Sequence, residues 1–258
     1  MQKYLADVED LLNRLYIAAE GAGLRQEERR KALEVAAMLE EVERAASRLS
    51  RRLPLLLVDA AAGKSYVGLL AAKLVFGAAG RDASVLAIER NPRMVEASRR
   101  AVERLGPSIA VECRQASVEE AEAWPQQPSI IAALHSCGDA ADAIIDRAIA
   151  CKARTLLLAP CCTSDAVSAS SNARAHADAL GIPPHAPVRR RFIQSFIDAE
   201  RTWRLEAAGY ETEVVEFVAS TVTPHNLLWR ARFVAESRRM AAAKSAWTKM
   251  MAAPPKPL

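Results

Sequence analysis

The sequence predicts an α/β fold: a doubly wound, mostly parallel sheet with a helical segment in front of it. Three observations predict it. Strand-like apolar runs alternate with stretches of helical periodicity from residue 53 onward, the pattern of successive strand–helix–strand units. Two of the runs, 130–134 and 155–159, are short and continuously apolar, as strands covered on both faces are. At 258 residues, 51% hydrophobic and 26% charged, the chain is long enough for one sizeable α/β unit with added segments.

In chain order, Tyr4, Leu5, Val8, Leu11, Leu12, Leu15, Tyr16 and Ala19 repeat at helical spacing until Gly21-Ala22-Gly23 breaks the helix. A second helix over 26–49 places Leu33, Ala36, Leu39, Val42 and Leu49 on one broad face. Neither helix buries its stripe alone, so residues 1–52 are expected to pack on the main body, residues 53–236. There, strands at 53–59 and 83–89 precede helices at 65–76 and 92–105, and a weaker strand at 108–113 leads to 118–124. The two apolar runs follow, giving five parallel strands. Residues 163–188, rich in Ser, Ala, Asp and Pro, suit a loop with a short helix, and a helix over 191–208 ends at Gly209. The connection 219–226 between strands at 211–218 and 227–234 is too short for a crossover, so these form an antiparallel hairpin at the sheet edge. Residues 237–258 complete the chain as a helix and a disordered, Pro-rich tail.

Composition narrows the function classes. No apolar run approaches the ~18 residues of a membrane span. Asp7, Glu9 and Asp10 in the first helical pattern argue against a signal peptide. Cys113, Cys137, Cys151, Cys161 and Cys162 form an odd set without a secreted-scaffold spacing, so free thiols and a cytoplasmic location are expected. A net charge of +4 permits an anionic partner such as RNA without requiring one.

Ligands of open α/β sheets bind beyond the carboxyl ends of the strands, so the residues following each predicted strand are the candidate site. The first strand runs into Asp59-Ala60-Ala61-Ala62-Gly63-Lys64-Ser65. Gly63-Lys64-Ser65 copies the end of a phosphate-binding loop. That motif, however, begins with a glycine five residues earlier, where Val58 stands, and no later strand ends in a magnesium-binding aspartate. The other pattern is acidic-x-Gly-x-Gly-x-Gly: Asp59 and Gly63 fit it, and the small Ala61 and Ser65 replace two glycines, still permitting close backbone approach. Glu89 ends the second strand, where a carboxylate takes the two hydroxyls of a ribose. Arg90-Asn91-Pro92 then opens the next helix beside an adenine, and Ser117 and Val118 border the same base. The structural alternative for Glu89 is an ion pair with an arginine.

Gly63-Lys64-Ser65-Tyr66, His135-Ser136-Cys137-Gly138-Asp139 and Pro160-Cys161-Cys162 together resemble the signatures of the methyltransferase domain 32 family, similar to tRNA acceptor-stem ribose methylases. Thr223-Pro224-His225-Asn226 is similar to a Thr-Pro-Lys-Asn segment of that family, with His in place of Lys. The resemblance covers 53–234. It implies a Rossmann-like class I methyltransferase sheet with S-adenosylmethionine as cofactor, and an acceptor that varies between members. Asp59 then faces the donor's ammonium, with Ala61, Gly63, Tyr66, Glu89, Arg90, Ser117 and His135 completing the cofactor site. Cys137, Arg191, His225 and Asn226 fall on the acceptor side. RNA, through a ribose hydroxyl or a base, is the preferred acceptor. A small molecule, a protein side chain, or a non-catalytic cofactor-binding role are the alternatives.

Three roles stand open for the cysteines: zinc ligands with His135, a nucleophile toward a pyrimidine, or a polarizable pocket wall. Vicinal Cys161 and Cys162 suit one metal poorly, and no metal is assigned. His135 is the candidate general base, with Asp139 to orient it, against the alternative of a core histidine. Cys161 and Cys162 are kept as catalytic candidates. Arg51-Arg52, Arg99-Arg100 and Arg189-Arg190-Arg191 are either phosphate contacts or solvated helix faces.

Overall fold

A computed structural model describes residues 3–17, 24–136, 138–161 and 165–252. Its centre is a seven-stranded sheet of order β3-β2-β1-β4-β5-β7-β6. Strands β1 (Leu55–Ala60), β2 (Ala83–Glu89), β3 (Ala110–Gln115), β4 (Ile130–Ser136) and β5 (Thr155–Pro160) are parallel. β7 (Leu227–Phe233) is antiparallel to β5 and to its hairpin partner β6 (Tyr210–Glu216), which closes the edge as the short 219–226 connection requires. β6 therefore runs in the direction of the five parallel strands, and the loop after it lies at their carboxyl edge.

One layer over the sheet holds α1 (Leu5–Leu12), α2 (Gln26–Ser47), α3 (Tyr66–Leu70) and α4 (Pro92–Leu105). α1 and α3 each continue into a π-helical turn, at Asn13–Ile17 and Ala71–Gly77. The opposite layer holds α5 (Asp139–Ala150) and α7 (Ala186–Ala207), joined by Trp124 and Trp229. α6 (Ser170–Ala179) and α8 (Ser237–Met251) pack on α7. α7 begins five residues ahead of the expected 191, because Pro187 sits in its first turn, where a missing N–H costs nothing. The expected tail beyond 252, and the Gly21-Ala22-Gly23 stop, lie outside the described residues.

α2 is not an appendage. Ala32, Val35, Ala36, Met38, Leu39 and Val42 are buried in one cluster with Leu57, Ile130 and Leu157 of the sheet. Such a helix contributes about 1.5–3 kcal/mol per large side chain removed from water.

β4 positions the site through an irregularity. Ile130, Ala132 and Leu134 face the α2 layer, and Ile131 and Ala133 face the α5 layer. Strict alternation would turn His135 toward α5. Instead the β4–β5 register shifts between Leu134 and Ser136, and His135 takes a left-handed φ of 64°. A bulge of this kind re-aims one side chain without ending the strand.

Across the α5 layer, α7 is fixed by buried charge. Arg201, fully buried, donates from Nε to Asp142 Oδ1 (3.0 Å) and from Nη2 to the Gly138 carbonyl (3.4 Å). Arg204 Nη2 donates to the same Asp142 oxygen (2.7 Å). The network thus clamps the turn that follows β4, where Gly138 takes a φ of 59° with ψ −126°, a backbone conformation essentially confined to glycine.

Candidate active site

The loop after β1 puts Ala61 (φ 53°), Gly63 (φ 56°) and Ser65 (φ 53°) in the left-handed region. These are the three glycine positions of acidic-x-Gly-x-Gly-x-Gly, so the backbone keeps the motif's conformation although two side chains depart from it. Gly63 Cβ space is open, with nothing within 4 Å. Tyr16 Oη donates to the Lys64 carbonyl (2.9 Å), and its ring meets Tyr66 edge-on at 4.6 Å, so the first helical segment braces the loop from outside.

Asp59 is 2% exposed. Its Oδ2 accepts from Ser65 Oγ (3.1 Å) and from the Gly68 N–H (2.8 Å), while Oδ1 makes no hydrogen bond within the described chain. Burial raises its pKa from 3.8 to about 7, against the two hydrogen bonds, which lower it. Glu89 Oε2 accepts from the Gly63 N–H (2.8 Å) and Oε1 from the Asn91 N–H (2.8 Å). Each oxygen keeps a second lone pair for a hydroxyl. The Gly63 N–H of a phosphate-binding loop would face phosphate; here it faces a carboxylate, which disposes of the nucleoside triphosphate alternative.

A cavity of about 360 Å³ opens on this loop, lined by Asp59, Ala61, Gly63, Tyr66, Met94 and His135 among others. Lys31 and Lys64 line it too, and with Tyr16, Tyr66 and Glu28 they line an adjoining one of about 240 Å³. Burial lowers the Lys31 pKa, and its ammonium lies over the Tyr66 ring at 5.1 Å.

His135 Nε2 lies 2.8 Å from Glu34 Oε2 of α2, a carboxylate that is 5% exposed. The expected orienting residue, Asp139, is exposed on the first turn of α5 and makes no hydrogen bond to the ring. The bulge explains the correction: it turns His135 to the α2 layer, away from α5.

Of the other expected residues, Arg90 is exposed and Ser117 donates from Oγ to Glu119; neither lines the cavity. Arg191 is exposed near the start of α7, and His225 is exposed in the loop beyond β6, both at the carboxyl edge but outside the cavity. Asn226 is buried and donates from Nδ2 to the Val218 carbonyl (3.0 Å), stapling that loop. Cys137 and Cys162 lie outside the described residues. Cys161 has its sulfur 3.6 Å from the His135 carbonyl oxygen and is disulfide-bonded, not the free thiol expected, so it has no thiolate to attack a pyrimidine. Cys113 and Cys151 are free and buried. Among the described residues no group of three or more His, Cys, Asp or Glu is placed to hold a metal, and no helix is long and apolar enough to cross a membrane.

Residues 30–168 match the model of a methyltransferase domain family, more than half of the chain. The chain belongs to the methyltransferase domain 32 family. It is an S-adenosylmethionine-dependent methyltransferase. The match begins inside α2, at residue 30, and so corrects the expectation that the resemblance excludes the first fifty residues. No curated protein matches the chain. Among solved structures it is similar to a Podospora anserina methyltransferase bound to S-adenosylhomocysteine (14% identity, 91% of this chain and 89% of that one, TM-score 0.50). It is also similar to the magnesium protoporphyrin IX methyltransferase of Synechocystis PCC 6803 (15%, 89% and 95%, TM-score 0.48). The Bacillus subtilis m1A22 tRNA methyltransferase is a third (14%, 86% and 74%, TM-score 0.47). At these identities the likeness is one of fold.

The residues present suit the donor of a methyltransferase. The site offers a carboxylate oxygen on Asp59 without a hydrogen bond, which would suit an ammonium, two lysines, which would suit a carboxylate, and two Glu89 oxygens with lone pairs to spare, which would suit a ribose diol. Sequence reasoning missed Lys31, Glu34 and Met94. The signal available for Glu34 was faint: a single acid inside the run Glu34-Val35-Ala36-Ala37-Met38-Leu39, all of it buried.

Proposed function

We propose that this methyltransferase transfers a methyl group to RNA, at a ribose hydroxyl or a base, with His135 as the general base and Glu34 as its positioning residue. The observation that carries the reading is the 2.8 Å pair between His135 and a buried glutamate at the wall of the donor cavity. S-adenosylmethionine supplies an electrophilic methyl on a sulfonium. Because that methyl is already reactive, the chain's task is to align the acceptor and take its proton. The acceptor oxygen would exchange its O–H bond for a bond to the methyl as the S–CH3 bond breaks and the neutral thioether leaves, and the proton would pass to the His135 imidazole. Glu34 keeps the ring in one orientation and stabilises the imidazolium, a contribution of ~10²–10⁴ in rate for a placed base. Asp59 and the Lys31–Lys64 pair would hold the two charged ends of the donor's amino-acid portion, and Glu89 would hold its ribose.

The RNA reading draws support from the arginine-rich α7 start and the exposed His225 loop, both at the carboxyl edge beside the cavity. Tritiated methyl transfer into separated total RNA, protein and metabolite fractions tests it. Label in RNA that is abolished by His135→Ala, with S-adenosylhomocysteine affinity retained, is expected. Label confined to protein or metabolites refutes the RNA acceptor, and undiminished transfer by His135→Ala refutes the base.

A further inference from the structure

Another cavity, of about 1020 Å³, lies away from the donor site. It is a groove between the C-terminal half of α2 and the strands β5, β7 and β6, reaching the amino ends of β4 and β5 at Gln127 and Arg154. We infer that this groove is a second RNA contact, one that grips the phosphodiester backbone while the acceptor nucleotide enters the donor cavity; it rests on the reading of the acceptor as RNA.

Charge carries the inference. The lining holds seven Arg and Lys side chains against three glutamates, a surplus of four positive charges. The whole chain's net charge is +4, so the surplus of the entire molecule is gathered in one groove. All three acids are already committed. Glu41 takes both Arg230 Nε and Nη2 at 2.7 Å, Glu213 takes Arg230 Nη1 at 3.1 Å, and Glu211 pairs with Arg232. Arg48, Lys152 and Arg154 are exposed and have no carboxylate within ion-pair distance among the described residues.

The competing explanation is that Arg48 and Lys152 merely offset the dipoles of α2 and α5, at whose C-terminal ends they sit. It does not reach Arg154, and it requires no groove. Lys152 moreover holds a left-handed φ of 52°, where glycine is the ordinary choice after a helix. Phe233 is the only aromatic residue of the lining, so the groove lacks the row of stacking platforms that reads bases and suits sequence-independent phosphate contact.

Distance selects a polymer. Lys31 in the donor cavity and Arg44 and Arg48 in the groove lie on one continuous helix, 13 and 17 residues apart. At 1.5 Å per residue a ligand touching both ends spans about 20–25 Å. An RNA stem covers that span.

The test is equilibrium binding, without methyl donor, of a fluorescein-labelled RNA hairpin followed by anisotropy from 50 to 300 mM KCl. Arg48→Gln/Lys152→Gln/Arg154→Gln removes three phosphate neutralisers and is expected to make the slope of log K against log salt shallower by about 2–3. A matched variant, Arg238→Gln/Lys244→Gln/Lys249→Gln on exposed α8, is expected to leave it unchanged. Arg48→Gln alone, for which a change of about 0.7–0.9 is expected, answers the case in which the triple variant fails to fold. An unchanged slope in the groove variants, or an equal loss in the α8 variant, overturns the proposal. Displacement of the hairpin by poly-glutamate at equal charge concentration also overturns it, in favour of an acidic protein partner. Methylation of RNA together with groove-independent binding refutes the groove alone. Groove-dependent binding without RNA methylation refutes only the acceptor.

Discussion

Asp59→Asn separates the charge of the buried carboxylate from its shape. The two hydrogen bonds that Oδ2 accepts, from Ser65 and Gly68, are available to an asparagine oxygen in the same place. What changes is ionisation. Burial lifts the wild-type pKa from 3.8 to about 7. Since the folded value lies above the unfolded one, the native protein holds a proton that the unfolded chain releases across that window. The group therefore stabilises the fold below pH ~4, and this contribution is lost as pH rises through 7. Between pH 4.5 and pH 8 the loss comes to about 3 kcal/mol at ~1.4 kcal/mol per pKa unit. Asparagine does not titrate, so the stability of the variant relative to wild type is expected to improve by about 3 kcal/mol over the same interval. Urea denaturation of both proteins at the two pH values measures this as a difference of differences, in which independent titrating groups cancel. The same titration reaches the donor. A carboxylate attracts an ammonium and a carboxylic acid does not, so wild-type affinity for S-adenosylhomocysteine is expected to rise about 30-fold from pH 5.5 to pH 8.5. In the variant it should be level. A wild type–variant gap that is the same at pH 4.5 and pH 8 would refute the argument that burial, and not hydrogen bonding, governs this group.

Three further outcomes follow from geometry. Glu34→Gln keeps the size of the side chain but removes the charge facing His135; kcat is expected to fall about 10–100-fold with donor affinity little changed, read by single-turnover transfer and calorimetry. Ala61→Gly places the ordinary residue at a φ of 53° and is expected to raise stability by about 1 kcal/mol, seen as a higher urea midpoint. Arg201→Met leaves Asp142 and Asp198 short of a buried partner and is expected to cost about 3–5 kcal/mol, measured by the same denaturation.

The sheet was readable because its signals are local. Ile130–Ser136 and Thr155–Pro160 are buried nearly throughout, and continuous apolarity reports that directly. The edge hairpin was readable from loop length. The site was readable only where chemistry follows the chain: Asp59, Gly63 and Glu89 each end or follow a strand and meet around one loop. His135 was found, but its partner was not. Period-two reasoning carries a side chain to one face, and a single bulged residue between Leu134 and Ser136 defeats it. Lys31 and Glu34 escaped because a charge on a helix reads as a solvated face until the partner 101 residues away is known. The cysteines marked the family well and the mechanism poorly, since a disulfide-bonded Cys161 performs no thiolate chemistry.

The long reach of α2 also has a consequence in time. The helix leaves the ribosome before every strand of the sheet it packs on, and Glu34 waits 101 residues for His135 and Glu41 waits 189 for Arg230. At ~5–20 residues per second that second interval is about 10–40 s, during which Leu57, Ile130 and Leu157 emerge to cover the apolar stripe but Arg230 has yet to reach Glu41. Newborn chains thus pass through a state in which the helix that completes the donor cavity has met β1, β4 and β5, while the ion pair that fixes its C-terminal half forms only when the last hairpin closes.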